Sequence, residues 1–124
     1  MYQDDYGREW EGPFPFSLSM ISTHAPRATG VYQLLFPNGG GFEVAYIGIA
    51  TGGNFIYNRL MAHCTGSGNW ALARLSDPDS FLFVCYRCDD LTAKQIESHV
   101  ITVKKPPFNV KPEYKHFIPS ISIH

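Results

Sequence analysis

Residues 30–49 read GVYQLLFPNGGGFEVAYIGI, in which apolar runs at 30–37 and 42–49 flank an Asn-Gly-Gly-Gly cluster. The runs are rich in the β-branched and aromatic residues that favour strands, and Asn-Gly is a strong turn signal between two strands. The sequence therefore predicts a β-hairpin, and the rest of the expected fold is built around it.

Side-chain alternation sets a register for this hairpin. With residues 37–41 as the loop, Tyr32 lies opposite Tyr46 and Leu34 lies opposite Val44. Opposed residues of an antiparallel pair share a face of the sheet, so this register gathers the large apolar side chains on one face. We therefore expect the two tyrosines on the same face of adjacent antiparallel strands.

The apolar pattern after the hairpin predicts a helix over 55–64, a short helix over 70–75, a strand over 81–87 and a long helix over 91–105. The strand is continuously apolar (FLFVCYR), which is typical of a central position in a sheet. Pro106 ends the long helix. The expected architecture is α/β, an α+β sandwich in which helices flank a small antiparallel or mixed three-stranded sheet.

The chain has 124 residues, of which 44% are hydrophobic, and this suits one domain with its own core rather than general disorder. We divide it into an N-terminal extension (1–27), a core (28–112) and a C-terminal tail (113–124). No apolar run approaches the ~20 residues that span a bilayer, and the N-terminal segment is acidic and polar rather than signal-like. The expected location is the cytoplasm, with no membrane partner.

The charge is nearly balanced but unevenly spread. The net charge is -1, and residues 1–50 carry two basic and five acidic groups, whereas residues 51–124 carry eight basic and six acidic groups. This balance excludes a highly basic nucleic-acid coat. It predicts that contact with a polyanion is local and lies in the second half of the chain.

The three cysteines are Cys64, Cys85 and Cys88, an odd number that suits a reducing compartment. The spacing of Cys85 and Cys88 is that of half a zinc site. However, residues i and i+3 of a strand point to opposite faces, and a complete site needs two further ligands. Cysteines that pack in the core are the favoured interpretation.

One set of side chains could carry chemistry: the facing tyrosines Tyr32 and Tyr46, then Arg59 and His63 on one helical face, and Glu97 on the last helix. Each alone has an ordinary structural interpretation, as a core tyrosine, a solvated arginine, a helix-terminal histidine or a surface glutamate. Together they offer the parts for phosphodiester cleavage. A phenol relays protons, a guanidinium holds a phosphate, an imidazole accepts a proton and a carboxylate holds Mg²⁺.

Gly30-Val31-Tyr32 followed by Tyr46-Ile47-Gly48 resembles the signature of the GIY-YIG endonuclease family. The downstream pattern is similar too, with an arginine on the following helix, a histidine one turn later, a glutamate in the last long helix and an asparagine after a proline-containing turn. Those residues are Arg59, His63, Glu97 and Asn109. The resemblance covers roughly residues 28–112.

The resemblance implies a one-metal phosphodiesterase that acts on DNA. Glu97 would ligate one Mg²⁺ or Mn²⁺, with water and phosphate oxygens as the other ligands. Tyr32, as a phenolate or by relay through His63, would activate the attacking water. Tyr46 would bind the phosphate or orient that water, and Arg59 would neutralise charge in the transition state.

The same resemblance implies that Asn109 would brace the site. Lys104 and Lys105 end the Glu97 helix, so we expect them to flank the cleft and contact DNA. Because no sequence-reading module is evident, target choice would come from loops, a partner protein, a homodimer or residues 1–27.

The sequence departs from the family pattern in two places. Val31 replaces the isoleucine of the first tripeptide, which is a conservative change in a strand. Many members carry a lysine soon after the second tripeptide, where this chain has Ile49, Ala50 and Thr51. The absence of that lysine weighs against a mechanism that needs it near the nucleophilic water.

Three hypotheses follow. The first is an active DNA endonuclease, and the second is a catalytically inactive GIY-YIG fold used to bind nucleic acid or protein. The third is an unrelated α/β ligand-binding domain. Metal-dependent cleavage of plasmid DNA separates the first from the others, and the order of hairpin and helices separates the second from the third.

Overall fold

The computed structural model describes residues 1–65 and 81–109. The short helix predicted over 70–75 and the tail at 113–124 lie outside these residues. The described elements are β1 (Tyr2–Gln3), β2 (Glu9–Pro15), α1 (Leu18–His24), β3 (Gly30–Asn38), β4 (Gly41–Ala50), α2 (Ile56–Cys64), β5 (Leu82–Arg87), α3 (Asp90–Lys104) and a 3-10 turn (Pro107–Asn109).

The sheet is antiparallel and has five strands in the order β1-β2-β5-β3-β4, so the expected three-stranded sheet is wrong in strand number. The two added strands come from the N-terminal segment 1–27. Prolines at 13 and 15 disfavour a central strand, and the pairing of β2 with β5 is accordingly irregular between Glu11 and Phe14. The α+β class and the central position of β5 are confirmed.

The hairpin of β3 and β4 forms as predicted, but in a different register. Tyr32 pairs with Gly48 and Tyr46 pairs with Leu34, so the predicted pairing of Tyr32 with Tyr46 is wrong by two residues. An irregularity leaves Ala45 without an opposed partner, and a bulge of this kind moves the residues beyond it to the other face. Tyr32 and Tyr46 still share one face, as expected, whereas Val44 lies on the other.

Helices cover both faces of the sheet. On one face, α1 and α2 pack over the first core, which includes Phe16, Ile21, Tyr32, Leu34, Tyr46, Leu60 and Phe83. On the other face, α3 packs over the second core, which includes Trp10, Val31, Leu35, Ile47, Val84, Ile96 and Val100. No helix in the described ranges is both long and apolar enough to cross a bilayer.

Backbone and side-chain caps fix where α2 and α3 begin. The first amides of α2 are satisfied by the chain before β3: Ile56 N donates to Ala28 O at 2.9 Å, and Tyr57 N donates to Pro26 O at 3.0 Å. Asp89 caps α3 by accepting from Thr92 N at 2.9 Å. These contacts set the position of both helices against the hairpin.

Candidate active site

Both outer glycines of the two tripeptides make room for neighbouring atoms. A Cβ at Gly48 would lie 2.4 Å from the hydroxyl of Tyr32, the residue paired with it across the strands. A Cβ at Gly30 would lie 2.2 Å from Tyr86 O, and its φ of +153° is a conformation that side chains disfavour. Gly48 therefore admits the Tyr32 ring, and Gly30 admits the neighbouring strand β5.

A short hydrogen bond joins the hairpin to α2 in the first core. The Tyr32 hydroxyl and His63 Nε2 are 2.7 Å apart, and neither side chain is open to solvent, since Tyr32 is 0% and His63 is 4% exposed. Leu60, on the same face of α2, holds that helix to the sheet. Two of the residues that the sequence pattern singled out, Tyr32 and His63, are therefore in direct hydrogen-bond contact.

Burial decides the protonation of this pair. Burial, followed by the positive charge of Arg59, lowers the pKa of His63 to about 4, so the imidazole is neutral at neutral pH. Burial raises the pKa of Tyr32, as does the neighbouring Tyr46, while Arg59 partly opposes the rise through its charge and a hydrogen bond. A buried phenolate is thus disfavoured, and a neutral phenol beside a neutral imidazole is the resting state.

Tyr46 and Arg59 complete the group around Tyr32. The Tyr46 ring lies edge-on to the His63 ring, with centroids 5.2 Å apart, and its centroid is 6.3 Å from that of Tyr32. Tyr46 keeps 9% of its surface exposed, and Arg59 is exposed on the flank of α2. The group therefore runs from a solvent-facing arginine and phenol to an enclosed proton acceptor.

Glu97 lies on α3, a different element from those that carry this group. Its neighbours Ile96 and Val100 pack in the second core, which places α3 on the opposite face of the sheet from Tyr32. The carboxylate is partly buried, and burial raises its pKa. In the described part of the chain it forms no hydrogen bond or ion pair that would offset this loss of hydration.

Asn109 holds the outer edge of β4 next to Tyr46. Its side-chain oxygen accepts from Ile47 N at 2.9 Å, and its amide nitrogen donates to Ile47 O at 2.8 Å. Among the described residues, β4 is an edge strand, so no other strand pairs with Ile47 on that side. The Asn109 side chain supplies the two hydrogen bonds that a neighbouring strand would otherwise make.

Two solved structures are similar to this chain. Both are the GIY-YIG N-terminal endonuclease domain of UvrC from Thermotoga maritima, as variants with one tyrosine replaced by phenylalanine, and each is bound to its catalytic divalent cation. One is 26% identical with a TM-score of 0.54, and the other is 24% identical with a TM-score of 0.52. Each match covers 73% of this chain and 96% of the UvrC domain, while no family model and no curated protein matches.

The chain has the GIY-YIG endonuclease fold. The family resemblance drawn from its two tripeptides is thereby confirmed. In this hairpin, Tyr32 and Tyr46 are diagonal neighbours on one face of the sheet, since Tyr46 pairs with Leu34, two residues along β3 from Tyr32. Gly48, which pairs with Tyr32, leaves space for the Tyr32 ring.

The divalent cation of the UvrC domains gives reason to test whether the residues of this GIY-YIG chain fit a metal. In the described residues, no group of three or more His, Cys, Asp or Glu side chains is placed to hold an ion. A partly buried carboxylate with no cationic partner, as at Glu97, fits a hydrated divalent ion instead. Mg²⁺ is commonly held by one or two carboxylates and keeps several waters.

Lys104 and Lys105, the two lysines predicted to flank the cleft, differ from each other in their contacts. Lys104 Nζ donates to Asp5 Oδ2 at 2.6 Å, so its charge is already paired with the N-terminal segment. Lys105 caps the C-terminus of α3 with a left-handed backbone (φ 49°). Lys104 is the last residue of α3 and Lys105 follows it, at the end of the helix that packs on the other face of the sheet.

Sequence reasoning missed a support for the turn after the second tripeptide. Asp90 Oδ2 accepts from Gly52 N at 3.1 Å and so ties this turn to the start of α3. An acidic residue at a helix start is ordinarily explained by the helix dipole alone, so the sequence carries no signal for this contact. Cys85 is fully buried, which agrees with a core role.

Proposed function

We propose that this chain is a metal-dependent endonuclease that hydrolyses phosphodiester bonds in DNA. The observation that carries the proposal is the 2.7 Å contact between the Tyr32 hydroxyl and a buried, neutral His63. A proton relay needs an acceptor in direct hydrogen-bond contact with the phenol, and the neutral imidazole of His63 is placed to be that acceptor. The endonuclease fold of the UvrC domains supports the same conclusion.

The proton path starts at the exposed end of the group. Since Tyr32 is fully enclosed and Tyr46 is 9% exposed, an attacking water meets Tyr46 first. The water oxygen forms a bond to phosphorus as the bond from phosphorus to the leaving oxygen breaks, and the leaving oxygen takes a proton from solvent. The water proton passes to the tyrosine pair, and Tyr32 gives its own proton to His63 Nε2. No phenolate has to persist, which suits the raised pKa of Tyr32.

Arg59 supports the phosphate in this scheme. Its guanidinium is exposed, lies close enough to Tyr32 to act on its pKa, and can donate two parallel hydrogen bonds to phosphate oxygens. Negative charge grows on those oxygens as the water attacks. A fixed cation at this place therefore stabilises the transition state more than the bound substrate.

Glu97 is the proposed ligand of one Mg²⁺ or Mn²⁺. Bound there, a divalent ion would supply charge stabilisation for the leaving oxygen. The chain's own contribution is a partly buried carboxylate without a cationic partner among the described residues, whose ionised form such an ion would favour. The odd number of cysteines suits a reducing compartment, and we propose the cytoplasm as the location.

The first test is cleavage of supercoiled plasmid with Mg²⁺, with EDTA as the control. Arg59→Ala is expected to lower the rate by about 10²-fold, the scale seen when one transition-state donor is removed, with little change in thermal midpoint. Lys94→Ala removes the same charge from α3 and should leave the rate unchanged. An inactive wild type would support the alternative of a non-catalytic GIY-YIG module.

Metal binding by Glu97 can be measured separately from DNA cleavage. Mn²⁺ titrated into wild type and Glu97→Gln should bind the wild type more tightly, because the substitution keeps the shape and removes the charge. Equal affinities would overturn Glu97 as the ligand, whatever the plasmid assay gives.

A further inference from the structure

Arg27 is an exposed cation that the structure holds in one place. It lies between α1 and β3, and its guanidinium carbon is 4.1 Å from the centre of the Tyr57 ring on α2. Tyr57 is partly buried against the first core, so the ring beneath the guanidinium is itself fixed. The attraction between a guanidinium and an aromatic face favours this position of an otherwise flexible side chain.

The backbone on both sides of Arg27 is anchored to the same helix. Pro26 O and Ala28 O accept the hydrogen bonds from Tyr57 N and Ile56 N that begin α2. Arg27 is therefore bracketed by two backbone contacts, and its side chain returns to the turn of α2 that makes them. An exposed arginine that is fixed in this way loses little entropy when a ligand binds.

In the described residues, Arg27 forms no ion pair with a carboxylate, unlike Arg8 and Arg87. Within residues 1–65 and 81–109, Arg8 pairs with Asp4 at 2.9 Å and Arg87 pairs with Glu11 at 2.7 Å. In the same residues, Arg27 and Arg59 form no ion pair with an acidic side chain. Both of these unneutralised arginines lie on the face of the sheet that carries Tyr32.

No acidic residue lies in α1, in α2 or in the segment between α1 and β3 that carries Arg27. The sequence has none between residues 12 and 42, and neither α1 nor α2 contains one. Exposed hydroxyl groups, at Ser22 and Thr23 of α1, lie in the same stretch. The acidic residues of the described chain are found in the N-terminal strands, the tip of the hairpin and α3.

A stacked guanidinium is suited to a phosphate. Stacking uses the flat faces of the group, while its N–H donors point outward in the plane, where they can form two parallel bonds to phosphate oxygens. Tyr57 and Arg59 are two residues apart on α2, which places them about 200° apart around the helix, on opposite flanks. A strand that crosses α2 from the Tyr32 group would reach Arg27 on the far side.

We propose that Arg27, fixed on Tyr57, is a second phosphate contact for the DNA strand, separate from the group around Tyr32. The contact is made by the segment before β3 and extends the DNA-binding surface over α1 and α2. It rests on the proposed function, since the strand it holds is the one to be cut. It acts on binding alone, and cleavage chemistry at saturating DNA does not depend on it.

The test measures binding in EDTA, so that cleavage does not interfere. A fluorescein-labelled DNA duplex of mixed sequence is titrated with wild type, Arg27→Ala and the charge-matched control Lys94→Ala, and anisotropy is followed at several salt concentrations. One lost phosphate contact should lower the salt slope by about 0.9, which corresponds to roughly fivefold to tenfold weaker binding at about 0.1 M salt. Arg27→Lys should recover only part of this, because lysine keeps the charge without the planar fork.

The titration tests the Arg27 contact, and the plasmid assay tests the proposed endonuclease function. Weaker binding and a smaller slope for Arg27→Ala, with Lys94→Ala like wild type, would support the contact. If both variants bind like each other, or if wild type does not bind DNA, the contact is overturned. A wild type that binds but does not cut plasmid would overturn the proposed function, and the comparison at Arg27 would still stand. Circular dichroism of Arg27→Ala confirms that the variant is folded.

Discussion

At Gly48 the ring of Tyr32 occupies the space that any side chain would need. A Cβ there would lie 2.4 Å from the Tyr32 hydroxyl and 2.9 Å from a ring carbon, so Gly48→Ala must displace the ring from His63. We expect a loss of about 1–3 kcal/mol in the free energy of unfolding and a larger, catalytic loss in cleavage rate. Urea denaturation and the plasmid assay measure the two effects.

The same strand offers a control for this substitution. Gly41 has open space, with Asn38 O at 3.9 Å as its nearest contact, so Gly41→Ala should be neutral in both assays. If Gly48→Ala were as active as Gly41→Ala, the position of Tyr32 would not matter for the reaction.

His63 sets the expected pH dependence. Because its pKa is about 4 in the folded chain, the imidazole stays neutral as pH falls below the ordinary histidine value, and cleavage should persist to well below pH 6.5. A fall in rate centred near pH 6.5 in a pH profile would contradict a buried, neutral base. Protonation of Glu97 also opposes activity at low pH, since its pKa is raised by burial.

The same shift appears in stability. A histidine with a depressed pKa binds its proton more readily when unfolded, so the stability it allows is complete above pH 6.5. That stability is lost as pH falls toward about 4, by up to about 3 kcal/mol. In His63→Gln this pH-dependent loss should be absent from urea titrations. The sequence is enough to name Tyr32 and His63 as candidate site residues. It does not predict that His63 is buried and neutral, because burial depends on what α2 packs against.

At the scale of elements, Asn109 tests how the edge of β4 is held. It satisfies both backbone groups of Ile47, the residue after Tyr46. Asn109→Ala leaves both groups without that partner, at a cost of about 1–2 kcal/mol, and should slow cleavage through Tyr46. Asn109→Asp keeps the bond from Ile47 N but repels Ile47 O until the acid is protonated. Its unfolding free energy should therefore rise toward wild type on acidification, and a variant insensitive to pH would argue against this clamp.

The elements show where sequence patterns suffice and where they fail. The helix predicted over 55–64 and the strand over 81–87 form almost within those limits, because their periodicity is strong and local. β2 escaped prediction because its two prolines and glycine disfavour a strand, and it is stabilised by pairing with β1 and β5 rather than by a local signal. The register of the hairpin was wrong for two reasons. The strands extend further than the predicted loop over 37–41 allows, since Asn38 pairs with Gly41, and the bulge at Ala45, which has no local signal, shifts the pairs beyond it by one more residue.

Across the whole molecule, the two faces of the sheet differ in charge. The face under α1 and α2 carries Arg27 and Arg59 without acidic partners in the described residues, whereas α3 and the N-terminal strands hold most of the acidic groups. Lys104 is neutralised across that second face by Asp5. The sequence predicts the catalytic candidates and a polyanion contact in the second half of the chain. It does not single out Arg27, in the first half, because pairing between distant residues cannot be read from charge counts.

This division leads to a prediction for the isolated chain: it should bind DNA weakly and with little sequence preference. The net charge is -1, and three of the described cations are held in ion pairs. With about three phosphate contacts, the log–log salt slope should be near three, and binding should fade at physiological salt. A salt titration by anisotropy measures the slope, with a scrambled duplex as the control for sequence preference. Tight, sequence-specific binding that survives physiological salt would mean that this one chain selects its target unaided, whereas weak binding leaves that choice to a partner protein or a second copy.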